Sequence, residues 1–189
     1  MSAAPVLALD RAACIRGGRL LFEGLSLTLA PGEAALAIGP NGAGKSSLLR
    51  LAGGLLPAAA GTVARSGGAA LAEEGLALDP QLTLAKALGF WATLDGRDAA
   101  PAMEAMGLTR LAAVPVRMLS TGQRKRAALA RVVASGAALW LLDEPANGLD
   151  AEGLERLAAA MAAHRAAGGA ILAASHVPVG LADAEAVRL

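Results

Sequence analysis

The chain has 189 residues, one cysteine, 17 basic against 16 acidic side chains and a formal charge of +1. That length carries one ordinary domain, spanning residues 1–189, whose core needs no disulfide or structural metal. The lone Cys14 excludes a disulfide framework and fits a reducing compartment, and the balanced charge argues against a nucleic-acid partner, which needs a basic face.

In chain order, residues 6–15 and 25–29 are strand-like, the second alternating Leu, Ser, Leu, Thr, Leu. Residues 34–38 form a short apolar run that stops at Gly39, as a buried strand does. A helix is predicted from Lys45 to about Leu56, closed by Pro57. The stretch 83–119 reads as wholly helical, with Thr83 as a cap and Pro101 in the first turn of a second helix. Further helices are expected after Ser120 to about Ala134 and from about Ala151 to Ala167. Between and after them lie apolar strands at 137–142 and 170–174. Such alternation gives an α/β fold with a mainly parallel sheet, ligands at the carboxyl ends of its strands, and 83–119 as an inserted helical lobe. Although 55% of the residues are apolar, no run of about 20 is unbroken, so no membrane-spanning helix is expected. Asp10 and Arg11 interrupt the start before any leader-like run develops.

Gly39, Pro40, Asn41, Gly42, Ala43, Gly44, Lys45 and Ser46 fit G-x-x-x-x-G-K-[ST] between a predicted strand and a predicted helix. Glycines there let backbone N–H groups turn inward on an anion, and the helix start adds its positive dipole end. In such a P-loop Lys45 meets the β- and γ-phosphates and the Ser46 hydroxyl ligates Mg²⁺, with Ser47 next in line. The second half of the site is the apolar run 139–142 followed by Asp143, Glu144 and Pro145. Asp143 is placed to hold Mg²⁺, which takes oxygen ligands and keeps several waters. Glu144 is then available to polarise the attacking water as general base. ATP with Mg²⁺ is the ligand this pair of elements predicts.

Between them stand Leu119, Ser120, Thr121, Gly122 and Gln123, opening a helix that carries Arg124, Lys125 and Arg126. This segment resembles the L-S-G-G-Q signature of ATP-binding cassette (ABC) ATPases. The resemblance implies a P-loop ABC-type nucleotide-binding domain with an N-terminal antiparallel β part. It also implies a homodimer in which Ser120, Gly122 and Gln123 face the nucleotide of the opposite copy. Asn147, Gly148, Leu149 and Asp150 resemble the family's D-loop, with Asp150 at its acidic position. His176 matches the switch histidine that reaches the γ-phosphate, whereas His164 reads as a surface residue on the polar face of a helix. Where the family has an adenine-stacking aromatic this chain has Arg16, whose guanidinium either stacks on the base or faces solvent. Where the family has a glutamine in the Mg²⁺ shell, counting back from Leu82 and Thr83 gives Glu74, with Gln81 the other candidate.

The resemblance extends over the whole chain. Residues 20–26, Leu82 and Thr83 followed by Gly89, Phe90 and Trp91, and the runs 119–126 and 139–145 are together similar to the ATP-binding subunits of cytochrome c maturation, or heme exporter, ABC transporters of proteobacteria (the CcmA type). That implies a peripheral subunit on the cytoplasmic side of the inner membrane, bound to integral membrane subunits, with ATP hydrolysis used for heme export or release of a heme–chaperone complex. Phe90 and Trp91 are expected either to meet those subunits or to pack the lobe's own core. A soluble ABC ATPase, such as one of iron–sulfur cluster assembly, is the alternative that length leaves open.

Overall fold

The structure, a computed structural model, describes residues 4–73, 75, 77–177 and 179–189. Among these, two sheets organise the chain. The first is antiparallel, with β1 (Leu7–Arg16) central between β2 (Arg19–Leu29) and β4 (Ala60–Arg65). The second has the order β5-β6-β7-β3-β8, from β5 (Ala69–Ala72), β6 (Leu139–Asp143), β7 (Ala170–Ala174), β3 (Ala34–Ile38) and β8 (Glu185–Arg188), and every pairing in it is parallel. The α/β class expected from the alternation of elements is the one observed.

Both faces of the parallel sheet are buried, which is why its strands read as continuous apolar runs rather than alternating ones. On β6, Leu139 and Leu141 enter one core while Trp140 and Leu142 enter the other, as the two-residue repeat of a strand requires. The first core is closed by α1 (Lys45–Ala52) and the antiparallel sheet. The second is closed by α2 (Leu84–Leu94), α3 (Ala100–Ala105), α4 (Thr121–Ala134) and α5 (Ala151–Ala166). Arg165 fastens the C-terminal segment to this frame. Its Nε donates to the Gly32 carbonyl at 2.8 Å, and its Nη atoms donate to both Asp183 oxygens at 2.8 and 2.6 Å.

Several sequence expectations need correction. Helix α1 ends at Ala52, four residues short of Leu56, because Gly54 at φ 76° turns the chain left-handed and the Leu55 N–H closes onto the Arg50 carbonyl at 2.8 Å. The second strand starts at Arg19 rather than Leu25. Strands β4 and β5, drawn from a small-residue stretch without strand signals, were not expected at all. The 83–119 region is helical only to Ala105; it continues as two short 3₁₀ turns, and Thr83 precedes α2 without a side-chain cap. His164 is half-buried rather than free on the surface. Its ring stacks on Trp140 with centroids 4.0 Å apart and planes 9° off parallel, and its Nε2 lies 3.2 Å from the Ala170 carbonyl. Burial holds its imidazole below the ordinary value of 6.5.

Candidate active site

The loop between β3 and α1 is shaped by glycine. Gly44, immediately before the helix, lies at φ 112°, and a Cβ there would stand 3.1 Å from Leu21 Cβ. Gly39 lies at φ 156° and Gly42 at φ 79°. The Ala43 N–H closes the turn onto the Pro40 carbonyl at 3.2 Å. Lys45, only 8% exposed, folds back so that Nζ donates to the carbonyls of Gly39 at 2.8 Å and Pro40 at 3.1 Å. The loop is therefore a preformed cradle with its cation already inside.

Strands β6 and β7 end beside this loop, and the parallel register sets Asp143 opposite Ala174. The residue after Asp143 departs from ordinary geometry: Glu144 has φ 44°, a left-handed conformation that costs a non-glycine residue roughly 1–3 kcal/mol. Its N–H donates to the Ala174 carbonyl at 2.8 Å. Its carboxylate meets His176 twice, Oε2 accepting from the backbone N–H at 3.3 Å and Oε1 lying 3.3 Å from Nε2. The same Nε2 is 3.0 Å from Asn41 Oδ1. A carboxylate and an amide oxygen can only accept, so Nε2 carries the proton, and the imidazole links the water-activating candidate to the phosphate loop.

Asn41, Gly42, Gly44, Lys45, Ser46, Ser47, Asp143, Glu144 and His176 thus line one open cavity of about 340 Å³, together with Leu21. Seven side chains singled out in the sequence converge there from three separate segments. A second cavity of about 430 Å³ adjoins it, bordered by Ser46, Asp143, Glu144, Arg50 and Glu73. Arg50 and Glu73 form an ion pair at 2.5 Å. The sequence pointed to Glu74, which lies outside the described residues; its neighbour Glu73 is one of the carboxylates bordering the second cavity. Leu21 and Arg50 carried no local signal.

The donor set suits Mg²⁺. Among the described residues no group of three or more His, Cys, Asp or Glu side chains forms a metal cage. Ser46 and Asp143 instead offer two oxygen ligands on the wall of an open cavity, fitting an ion that keeps its waters and completes its shell with phosphate.

The remaining candidates lie apart from this cavity. Ser120 caps α4 in a reciprocal box, its N–H donating to Gln123 Oε1 at 2.9 Å and its Oγ accepting from the Gln123 N–H at 3.3 Å. Gly122 packs so closely on the following loop that a Cβ would lie 3.0 Å from the Gly148 carbonyl. Asp150 caps α5 by accepting from the Gly153 N–H at 2.8 Å. Arg16 is exposed at the end of β1, opposite Arg19, and does not line the phosphate-loop cavity. Phe90 is 57% exposed, whereas Trp91 is tied down by its Nε1 donating to the Ala77 carbonyl at 2.7 Å and by Arg131 above its ring.

A model of the ABC transporter family matches residues 22–147. The fold agrees with that of an ABC transporter ATP-binding subunit at TM-score 0.87 and 22% identity, over 97% of this chain and 85% of that one. It also agrees with a putative ABC transporter ATP-binding protein of Pyrococcus furiosus at TM-score 0.83 and 19% identity, over 97% and 96%. The chain belongs to the ABC transporter family, whose ATP-binding proteins are ATP hydrolases. Relatives named cytochrome c biogenesis ATP-binding export protein CcmA narrow this further. The one from Sphingopyxis alaskensis is 60% identical over 181 residues, covering 94% of this chain and 93% of the relative. Those from Zymomonas mobilis and Rhodopseudomonas palustris are 52% and 44% identical, covering 97% and 91% of this chain and 84% and 92% of theirs. The chain is a member of this CcmA family.

Proposed function

We propose that this chain is the ATP-hydrolysing subunit of an ABC transporter for cytochrome c biogenesis, acting as a pair of copies that close over two ATP molecules. Within each site Lys45 leaves the carbonyls of Gly39 and Pro40 to meet the β- and γ-phosphates, and the N–H groups at the start of α1 receive the phosphate oxygens. Ser46 and Asp143 would hold Mg²⁺, which would supply neutralisation of the charge on those phosphates. Glu144 accepts a proton from the attacking water, and His176, bonded to both Glu144 and Asn41, keeps that carboxylate aimed at the loop.

Ser120, Gly122 and Gln123 open a helix away from the cavity of their own chain, which suits them to complete the site of a second copy. Asp150, at the end of the loop that touches Gly122, stands beside that same surface. No helix among the described residues is long and apolar enough to cross a membrane. In this reading integral membrane subunits of the transporter provide the spanning part, with this chain docked peripherally on the cytoplasmic face of the inner membrane and the lobe bearing Phe90 turned toward them. The cargo is heme or a heme–chaperone complex.

The observation that carries this reading is Glu144, a non-glycine residue held left-handed so that its carboxylate meets the same cavity as Lys45, Ser46 and Asp143. Glu144→Gln keeps the shape and removes the base. In the purified full chain it is expected to retain ATP while phosphate release falls by about 10²–10⁴. Turnover at the wild-type rate sinks the assignment.

A further inference from the structure

The left-handed φ of Glu144 is a rotation between its Cα and the peptide that joins it to Asp143, so the attitude of that peptide is one of the things that set where the carboxylate stands. The peptide is held at both ends. On one side the Glu144 N–H donates to the Ala174 carbonyl of β7 at 2.8 Å. On the other, the Asp143 carbonyl accepts from Lys125 Nζ at 3.2 Å. A strained backbone persists only where its surroundings over-determine it, and Lys125 is one of these two restraints.

Lys125 belongs to α4, little more than one turn from Ser120. It is one of three consecutive basic residues, and its neighbours are engaged elsewhere: Arg124 Nε donates to the Leu119 carbonyl at 2.9 Å and Arg126 Nη1 to the Met106 carbonyl at 3.4 Å. The chain otherwise favours arginine, with Lys45, Lys86 and Lys125 its lysines. Helix α4 also touches the chain just beyond Glu144, through Gly122 against the Gly148 carbonyl. Thr121, Lys125, Asn147 and Gly148 border the cavity between the two segments. One helix thus braces the Glu144 turn from before and after.

We infer that Lys125 is a positioning residue for ATP hydrolysis: it pins the Asp143–Glu144 peptide and so ties the attitude of the general base to the helix whose first turn meets the nucleotide of the second copy. This rests on the function proposed above. Lys125 touches neither phosphate nor water; it acts through Glu144. Its loss lowers the rate of the chemical step and leaves the phosphate loop intact.

The test compares full-length wild type, Lys125→Met, Lys125→Gln and Lys125→Arg, each with Mg²⁺ and ATP. Replacing the donor by the aliphatic chain of Met is expected to lower kcat by about 10- to 100-fold, the range for one charge-assisted hydrogen bond, with KM and ATP Kd within about threefold of wild type. Lys125→Arg restores most of the rate, and Lys125→Gln falls between. Wild-type kcat in Lys125→Met overturns the inference. So does a loss that appears in KM or Kd instead of kcat, or that Arg fails to repair. Should Lys125→Met not fold, the Gln and Arg variants decide by the same criteria. If Glu144→Gln hydrolyses ATP freely, the reading of the site itself fails. If Glu144→Gln is inactive and Lys125→Met is not impaired, the positioning role alone fails.

Discussion

Removing the His164 side chain tests how the catalytic strand is supported from behind. Trp140 sits three residues before Asp143 on β6, and the His164 ring lies flat against it at 4.0 Å. His164→Ala removes that stack, worth about 0.5–1.5 kcal/mol, and the bond to the Ala170 carbonyl, worth about 1 kcal/mol. The expected loss is about 2 kcal/mol, which for a chain of this size lowers Tm by about 4–8 °C. The pH dependence gives a second handle. Burial depresses the folded-state pKa of His164 below 6.5, so the unfolded chain binds the proton first. The stability this side chain contributes is complete above pH 6.5 and is lost as pH falls through the folded value. The gap between wild type and His164→Ala in thermal melts is therefore expected to be widest near pH 7.5 and to narrow toward pH 5. Equal Tm values at pH 7.5, or a gap that widens on acidification, refute the reasoning.

Two further expectations concern the site and its frame. Lys45→Ala removes a buried cation that makes two short backbone bonds; titration with ATP and Mg²⁺ is expected to show affinity reduced by about 10- to 100-fold, the scale of a charged hydrogen bond, and unchanged affinity contradicts the cradle. Asp150→Ala deletes the cap of α5, and chemical denaturation is expected to show a loss of about 1 kcal/mol, whereas Asp150→Asn, which still accepts from Gly153, loses much less.

The parts of the fold that read directly from the sequence are those where one signal dominates. β3 and β7 are apolar runs bounded by glycine or polar residues, and both were placed at their observed limits. The start of helix α4 was legible because serine is a helix-capping residue type, and Ser120 does cap it, in a reciprocal box with Gln123. β4 and β5 were missed because Ala60, Gly61, Ala64, Ala69 and Ala70 have no strand preference of their own. Pairing with β1 and β6 makes them strands, and pairing partners so far apart in the chain leave no local trace. The same limit applies to the site. The phosphate loop and the Asp143–Glu144 pair are contiguous motifs, so their convergence on one cavity was anticipated. The Arg50–Glu73 pair, the Asn41–His176 bond and the Lys125–Asp143 bond join distant segments and needed the fold to be seen. His164 was misjudged because helical position alone does not reveal a flat aromatic partner on the adjoining strand.

The most direct test of the central claim is the solution mass of Glu144→Gln with ATP and Mg²⁺, measured by light scattering during gel filtration. The chain weighs 18.7 kDa. A shift on nucleotide addition to twice that mass, with one ATP retained per chain and no shift when Ser120 is replaced by a bulky glutamate, is the result this account requires. A species that binds ATP tightly and stays at the monomer mass contradicts it.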